Sequence, residues 1–247
     1  MERIAPRANL VYKTADGKPL RADLYLPPGA NTPAPIVVLI HGGLPEGIEA
    51  KDGGLFVSWG QLIAASQMAG VTFNHRMRWA NGFVPKSLGE AAEDLDDMIR
   101  FLRDHATDLG IDAERICLVA FSAGGPMLAA PIRERSSAVR CMVGLYPFLG
   151  DAFPGSIDAG CYSALDAMVK GGAVPPTFLA KAGKDLALIN DSIDIFVERA
   201  REFDAPHELM THPEGVHAFD ILNDDETSRA IIRQVVEFIA SHLLVHD

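Results

Sequence analysis

No stretch of the 247 residues is apolar for long enough to cross a bilayer, which excludes a membrane-spanning helix. Cysteine is scarce: Cys117, Cys141 and Cys161 are three, an odd number at wide spacing. That excludes a disulfide framework and a cysteine-based metal site. Cys117 and Cys141 sit inside apolar runs and read as small buried hydrophobes, which suits a reducing, cytoplasmic compartment. Met1 to Leu10 hold no apolar core and no small-residue cleavage site, so no secretory leader is expected there. Positive charge is also short: 22 lysines and arginines stand against 33 acidic residues, a formal net charge of −11. Nucleic acid, whose backbone is bound by lysine and arginine, is therefore not an expected partner. Internal repeats, low-complexity tracts and long linkers are missing as well, so residues 1–247 are expected to form a single domain.

What is present is an alternation of short apolar runs with helical patterns. Leu10 to Lys13 and Arg21 to Leu26 flank the turn Ala15-Asp16-Gly17-Lys18 and read as an antiparallel hairpin at a sheet edge. Ile36 to Ile40, Val71 to Asn74, Ile116 to Phe121, Cys141 to Tyr146 and Thr177 to Ala182 are near-continuous apolar runs. Strands buried on both faces of a parallel sheet have this character. Glu208 to Thr211 completes the series with a less apolar run. Between them, Leu88, Ala91, Leu95, Met98 and Leu102 recur at helical spacing within Ser87 to Thr107, with Ser87 and Glu90 as a capping box. Ile231, Val235, Phe238 and Leu243 do the same within Ser228 to Leu244; shorter helices fit Val57 to Gly70, Ala123 to Arg135 and Asp191 to Phe203. The expected class is α/β, a mostly parallel sheet with helices on both faces. Ligands of such sheets bind beyond the carboxyl ends of the strands.

Four polar motifs stand at those ends. Ala120-Phe121-Ser122-Ala123-Gly124 joins a strand to a helix with small residues two positions to either side of the serine. A sharp strand-to-helix turn needs that smallness, and it presents the hydroxyl beside unpaired backbone N–H groups. Pro126 fits the first helical turn, where a missing N–H costs little. The competing reading makes Ser122 a plain helix cap. His41-Gly42-Gly43 follows the strand Ile36 to Ile40, and its glycines let backbone N–H groups approach a ligand. An oxyanion needs two such donors. Ala123 and Gly43 are favoured, with Gly42 as the alternative to Gly43, while His41 is read as organising the loop.

Asp185 follows the strand Thr177 to Ala182, and His217 follows Glu208 to Thr211 in a glycine-preceded loop. Serine is a poor nucleophile until an imidazole takes its proton, and a carboxylate fixes the tautomer of that imidazole. Asp191 and Asp194 are rivals to Asp185, but they fall at the start of a helix or inside it, and Asp191 reads as a cap. His207 begins its strand at the wrong end of the sheet. His212 lies nearly at the right end, but His217 sits in a glycine-preceded loop that can turn into the site. His75 and His105 come too early in the chain for the order serine, acid, histidine; His242 and His246 read as surface residues.

With these residues in place, the chain resembles the α/β-hydrolase superfamily, in its small serine carboxylesterase, dienelactone-hydrolase-like and prolyl-oligopeptidase-like branches. The resemblance runs from about Leu10 to the C-terminus, and it departs from the pattern at Ala120, where the first glycine of the elbow usually stands. It implies an eight-stranded sheet with the second strand antiparallel, no large cap domain, and an acyl-enzyme intermediate without cofactor or metal. The expected activity is hydrolysis of small to medium carboxylic esters by Ser122, His217 and Asp185. A peptidase or amidase on the same residues, or a non-catalytic ligand-binding protein on this fold, are the alternatives. A small-molecule ester is the expected partner, and a homodimer stays open. Pocket walls are expected from Leu44 to Trp59, Met77 to Pro85 and Pro147 to Met168, which carry Phe56, Trp59, Trp79, Phe83, Phe148, Phe153 and Tyr162. Arg76 and Arg78 are candidates either for a substrate anion or for pairing with a neighbouring loop.

Overall fold

A computed structural model describes residues 4–44, 47–80, 84–150 and 162–244, with backbone alone for 78–80 and 84–86. The strands of the main sheet are β1 (Arg7–Ala15), β2 (Lys18–Tyr25), β3 (Ala34–Ile40), β4 (Ala69–Phe73), β7 (Ile111–Phe121), β8 (Val139–Leu145), β9 (Thr177–Ala182) and β10 (His207–His212). A separate two-stranded ribbon pairs β5 (Arg78–Ala80) with β6 (Val84–Lys86). The eight strands lie in the order β1-β2-β4-β3-β7-β8-β9-β10, and β2 runs antiparallel to both its neighbours. The remaining pairs, from β4 to β10, are parallel.

Strand alternation sends side chains to two separate cores. Ile36, Val38, Ile40, Ile116 and Leu118 face one side. There they meet α2 (Leu88–Asp104), α4 (Ala129–Glu134), α5 (Ala164–Val169) and α6 (Ala187–Glu202). Val37, Leu39, Cys117, Val119, Cys141 and Val143 face the other, against α1 (Gly54–Ala65) and α8 (Glu226–Leu243). Helices α3 (Ala106–Leu109) and α7 (Phe219–Leu222) are single turns. The apolar runs read as central strands are those buried on both faces. β10, an edge strand, leaves five of its six residues half-buried or exposed, which is why its run is less apolar.

Several local expectations are corrected. The capping box does not form: Ser87 has φ 62° and ψ 35°, and its side chain makes no capping bond. A serine in the left-handed region cannot aim its hydroxyl at the N–H groups of the following turn. Asp191 is no cap, because α6 starts four residues earlier, at Ala187. Helix α1 ends at Ala65, so the strand after it begins at Ala69 rather than Val71. The segment after Ser122 opens as a 3-10 helix, Ser122–Leu128, before α4. Strand β7 starts at Ile111, through Asp112 and Glu114, whose polarity hides it from an apolar pattern.

Candidate active site

The carboxyl ends of β3, β7, β8, β9 and β10 converge on one edge of the sheet. At the end of β7, Ser122 takes φ 53°, a left-handed conformation that is strained for a residue with a side chain. The surroundings hold it there: Phe148 N–H donates to the Ser122 carbonyl at 2.9 Å. Glycine is needed where the turn meets its neighbours. A Cβ at Gly124 would lie 2.8 Å from the Ile40 carbonyl oxygen, and one at Gly125 would lie 2.1 Å from that of Phe148. At Ala120, the departure from the elbow pattern, the methyl is accommodated in full burial.

His217 reaches Ser122 across the sheet edge, with Nε2 at 2.9 Å from Oγ. Its Nδ1 lies 2.6 Å from Oδ2 of Asp185. A carboxylate accepts only, so Nδ1 carries the proton and Nε2 is left to accept from the serine hydroxyl. The Asp185 side chain is 1% exposed and the His217 side chain 40%. Asp185 is fixed from behind, since its other oxygen accepts from Leu186 N–H at 2.7 Å. The two loops are tied together by Lys184 N–H donating to the Gly215 carbonyl at 2.9 Å. The structure thus brings Ser122, His217 and Asp185 into one hydrogen-bonded line, from the ends of three different strands.

The glycine loop after β3 lies against the serine. A Cβ on Gly42 would sit 3.2 Å from the Ala123 nitrogen and 3.3 Å from Cβ of Ser122. Gly42, Gly43 and Ser122 all line one cleft of about 490 Å³. His41 is turned away from the serine. Its ring is buried and stacks on His75 at 3.5 Å with the planes 4° apart. Burial pushes its pKa down to about 4, and that of His75 falls well below the usual value for the same reason.

The other histidines and acids fall elsewhere. Asp194 pairs with Lys181 at 2.6 Å, and His207 Nδ1 lies 2.9 Å from the Ala205 carbonyl oxygen. His105 and His242 each place Nδ1 near a carbonyl of their own helix, Phe101 and Phe238 respectively. Arg76 is held by Asp94, with Nε and Nη2 both 2.9 Å from its carboxylate, and also by Glu90, Glu93 and Asp16. It is therefore a structural ion pair. The side chains of Arg78 and Trp79, and all of Phe83, Phe153, Cys161 and His246, lie outside what the structure describes.

Of the expected walls, Leu44 and Phe56 line the cleft. Trp59 does not: it is 3% exposed and donates Nε1–H to Asp220 Oδ2 at 2.8 Å. Phe148 is buried behind Gly125, and Tyr162 packs against the core beneath. The opposite wall, unforeseen, is Leu186, Leu188 and Ile189, at the start of α6 just after Asp185. The signal for it was three apolar side chains following the acid, two of which stay exposed, Leu186 at 56% and Leu188 at 43%.

A second unforeseen group supports the imidazole. Tyr146, at the end of β8 with φ 40°, sets its ring 4.7 Å from that of His217. Its hydroxyl donates to Asp220 Oδ1 at 2.8 Å, so Asp220 holds Tyr146 and Trp59 at once. Burial raises the pKa of Asp220, and burial raises that of Tyr146. The one hint in the sequence was an acid three residues after the histidine.

Known proteins share this fold. Residues 22–133 match the family model described as BD-FAE. Esterase 2 of Thermogutta terrifontis, phosphoramylated by tabun, superposes with a TM-score of 0.78 at 19% identity, covering 98% of this chain and 96% of that one. The chain has the α/β-hydrolase fold. The propionate-bound form of the same thermophilic esterase superposes at 0.79 with 19% identity, over 100% of this chain and 98% of its own. A non-reducing polyketide synthase, pkbA of Emericella nidulans, is 56% identical over 45 residues, 18% of this chain. The chain spans about 2% of the length of that curated relative.

Proposed function

We propose that this protein is a serine hydrolase that cleaves small to medium carboxylic esters through an acyl-enzyme. The observation that carries this reading is the line Asp185–His217–Ser122, at 2.6 and 2.9 Å, on the floor of a cleft with mostly apolar walls. In this reading His217 Nε2 takes the hydroxyl proton as Ser122 Oγ attacks the ester carbon, and then gives it to the departing alcohol. Asp185 holds the tautomer and stabilises the imidazolium. The Ala123 N–H and one from Gly43 or Gly42 take the oxyanion. A water repeats the cycle and frees the acid. The strained φ of Ser122 supports the role, since such strain collects at reacting residues. So does likeness in fold to an esterase described as phosphorylated by paraoxon and as binding butyrate.

The substrate side is a small molecule, and no helix among the described residues is long and apolar enough to cross a membrane. A cytoplasmic location is part of the proposal. Its support is that Cys117 and Cys141, register partners in β7 and β8, are both free thiols.

The test exposes wild type and Ser122→Ala to p-nitrophenyl esters from acetate to octanoate, with a fluorophosphonate label in parallel. Turnover and one label per wild-type chain, both lost in a folded Ser122→Ala, are expected. A wild type that neither labels nor turns over any ester would return the protein to the ligand-binding reading. Equal turnover by both would remove Ser122 from the mechanism.

A further inference from the structure

Asp220 turns its carboxylate toward two buried donors. Oδ1 accepts from the Tyr146 hydroxyl and Oδ2 from Trp59 Nε1–H, both at 2.8 Å. Among the described residues no lysine or arginine pairs with this acid, and the ring that bears on it electrostatically is that of His217. Holding two donors does not need a charge, and a charge out of water is costly unless something compensates it. In the reaction proposed above, a compensating cation forms beside it whenever the serine proton rides on His217.

The chain path brings the two residues together. Ala218 takes φ 63° and turns the chain sharply after His217. Asp220, three residues on, thereby returns to the hydroxyl of the tyrosine whose ring meets the imidazole at 4.7 Å, with the planes 60° apart. Tyr146 has little freedom of its own. Its N–H donates to the Ala180 carbonyl at 2.7 Å, and Phe219 packs edge-on against its ring at 5.8 Å. The bond to Asp220 fixes the far end of that ring. Burial raises the pKa of Asp220, while the bonds from Trp59 and Tyr146 and the nearby imidazole pull it back.

We propose that Asp220 is a positioning residue for His217: through Tyr146 it sets the angle of the imidazole, and its charge favours the imidazolium. This deepens the ester-hydrolase reading and rests on it. The groups that face His217 are Asp185 from the end of β9, Ser122 from the end of β7, Tyr146 from the end of β8 and Asp220 from α7. Asp185 makes the direct bond, and Asp220 adds a second negative charge behind the tyrosine.

The experiment follows p-nitrophenyl butyrate hydrolysis against pH in wild type, Asp220→Asn and Tyr146→Phe, with circular dichroism and Tm to check the fold. Asp220→Asn removes the charge, so the acid limb of the kcat/KM profile should move to lower pH by about half a unit. The movement is modest because His217 is 40% exposed and water screens part of the attraction. Its kcat should fall about tenfold with KM little changed. Tyr146→Phe keeps the ring and the charge but cuts the link between them. It should lower kcat by a similar factor and leave the acid limb in place. A folded Asp220→Asn whose acid limb coincides with that of wild type would reduce Asp220 to a clamp and overturn the proposal, with ester hydrolysis intact. Should Asp220→Asn fail to fold, Tyr146→Phe decides, and a kcat equal to wild type would overturn the proposal. A wild type that hydrolyses no ester would overturn both readings together.

Discussion

His212 ends β10 and His217 stands five residues further on, in the loop that follows, and each has an aspartate and a serine within hydrogen-bond reach. His217 uses both ring nitrogens: Asp185 is on Nδ1 at 2.6 Å and Ser122 on Nε2 at 2.9 Å, with the ring 40% exposed in the cleft. His212 has all its partners on one nitrogen. Its Nε2 is 3.1 Å from both oxygens of Asp225 and from Ser228 Oγ, while its buried Nδ1 has no partner among the described residues. Its ring is 3% exposed, and Ser228 sits in ordinary helical backbone in the first turn of α8. The same three residue types thus make a proton path in one place and a structural clamp in the other. A serine hydroxyl gains a base when the imidazole bridges it to a carboxylate, which composition alone does not provide.

The sharpest way to break this contrast is to remove each serine. Ser122→Ala should lower kcat on p-nitrophenyl butyrate by about 10⁴-fold or more. Ser228→Ala should keep the rate and lower Tm. Next come the acids. Asp185→Asn should cost about 10³-fold in kcat, because an amide can present a donor to Nδ1 and select the wrong tautomer. Loss of rate in Ser228→Ala, or its retention in Asp185→Asn, would reverse the roles assigned to the two histidines.

Stability measurements sharpen the comparison further. Asp220→Ala would leave the Tyr146 hydroxyl and the Trp59 N–H unpaired in the core, and should cost about 3 kcal/mol in a urea titration. His41 supplies a pH signature of another kind. Its folded pKa, about 4, lies below the 6.5 of a free imidazole, so the unfolded chain binds the extra proton. Stability is therefore present above pH 6.5 and declines as pH falls toward 4, by about 3 kcal/mol from this ring alone. Buried neutral His75 adds in the same direction, and His75→Phe should flatten the fall in urea midpoint. The smallest effect belongs to Asp225, whose carboxylate accepts from Ser228 N–H at 2.8 Å and caps α8. That bond holds its pKa below the usual carboxylate range, so its contribution is present at neutral pH and is lost as pH falls through the depressed value. Asp225→Ala should lower Tm by a few degrees at pH 7, and the deficit should narrow in acid.

The sheet was legible where burial on two faces makes a strand uniformly apolar, as in Ile36 to Ile40. It was not legible where a strand begins outside the core, as β7 does through Asp112 and Glu114, or where the ribbon β5–β6 is three residues a side. Ser122, Asp185 and His217 were legible because each lies within five residues of the carboxyl end of a strand, which fixes its place on the sheet edge. The cleft walls were less so. An aromatic residue near a strand end has no sequence mark that says whether it faces cleft or core, and Trp59, on α1, turned inward to meet Asp220. Ser87 and Glu90 carry the spacing of a capping box, but the chain enters α2 with a positive φ, and spacing does not encode the angle of entry.

The strand order has a consequence for the making of the protein. Ser122 ends β7, in the first half of the chain, while His217 waits on β10, the last strand and an edge of the sheet. A nascent chain emerging from the ribosome can fold β3, β4 and β7 around the serine long before the imidazole has been synthesised. On the proposed mechanism, until β10 docks the hydroxyl is in place with no base beside it, so a half-made molecule would stay chemically quiet and reaction would begin only with the completed sheet.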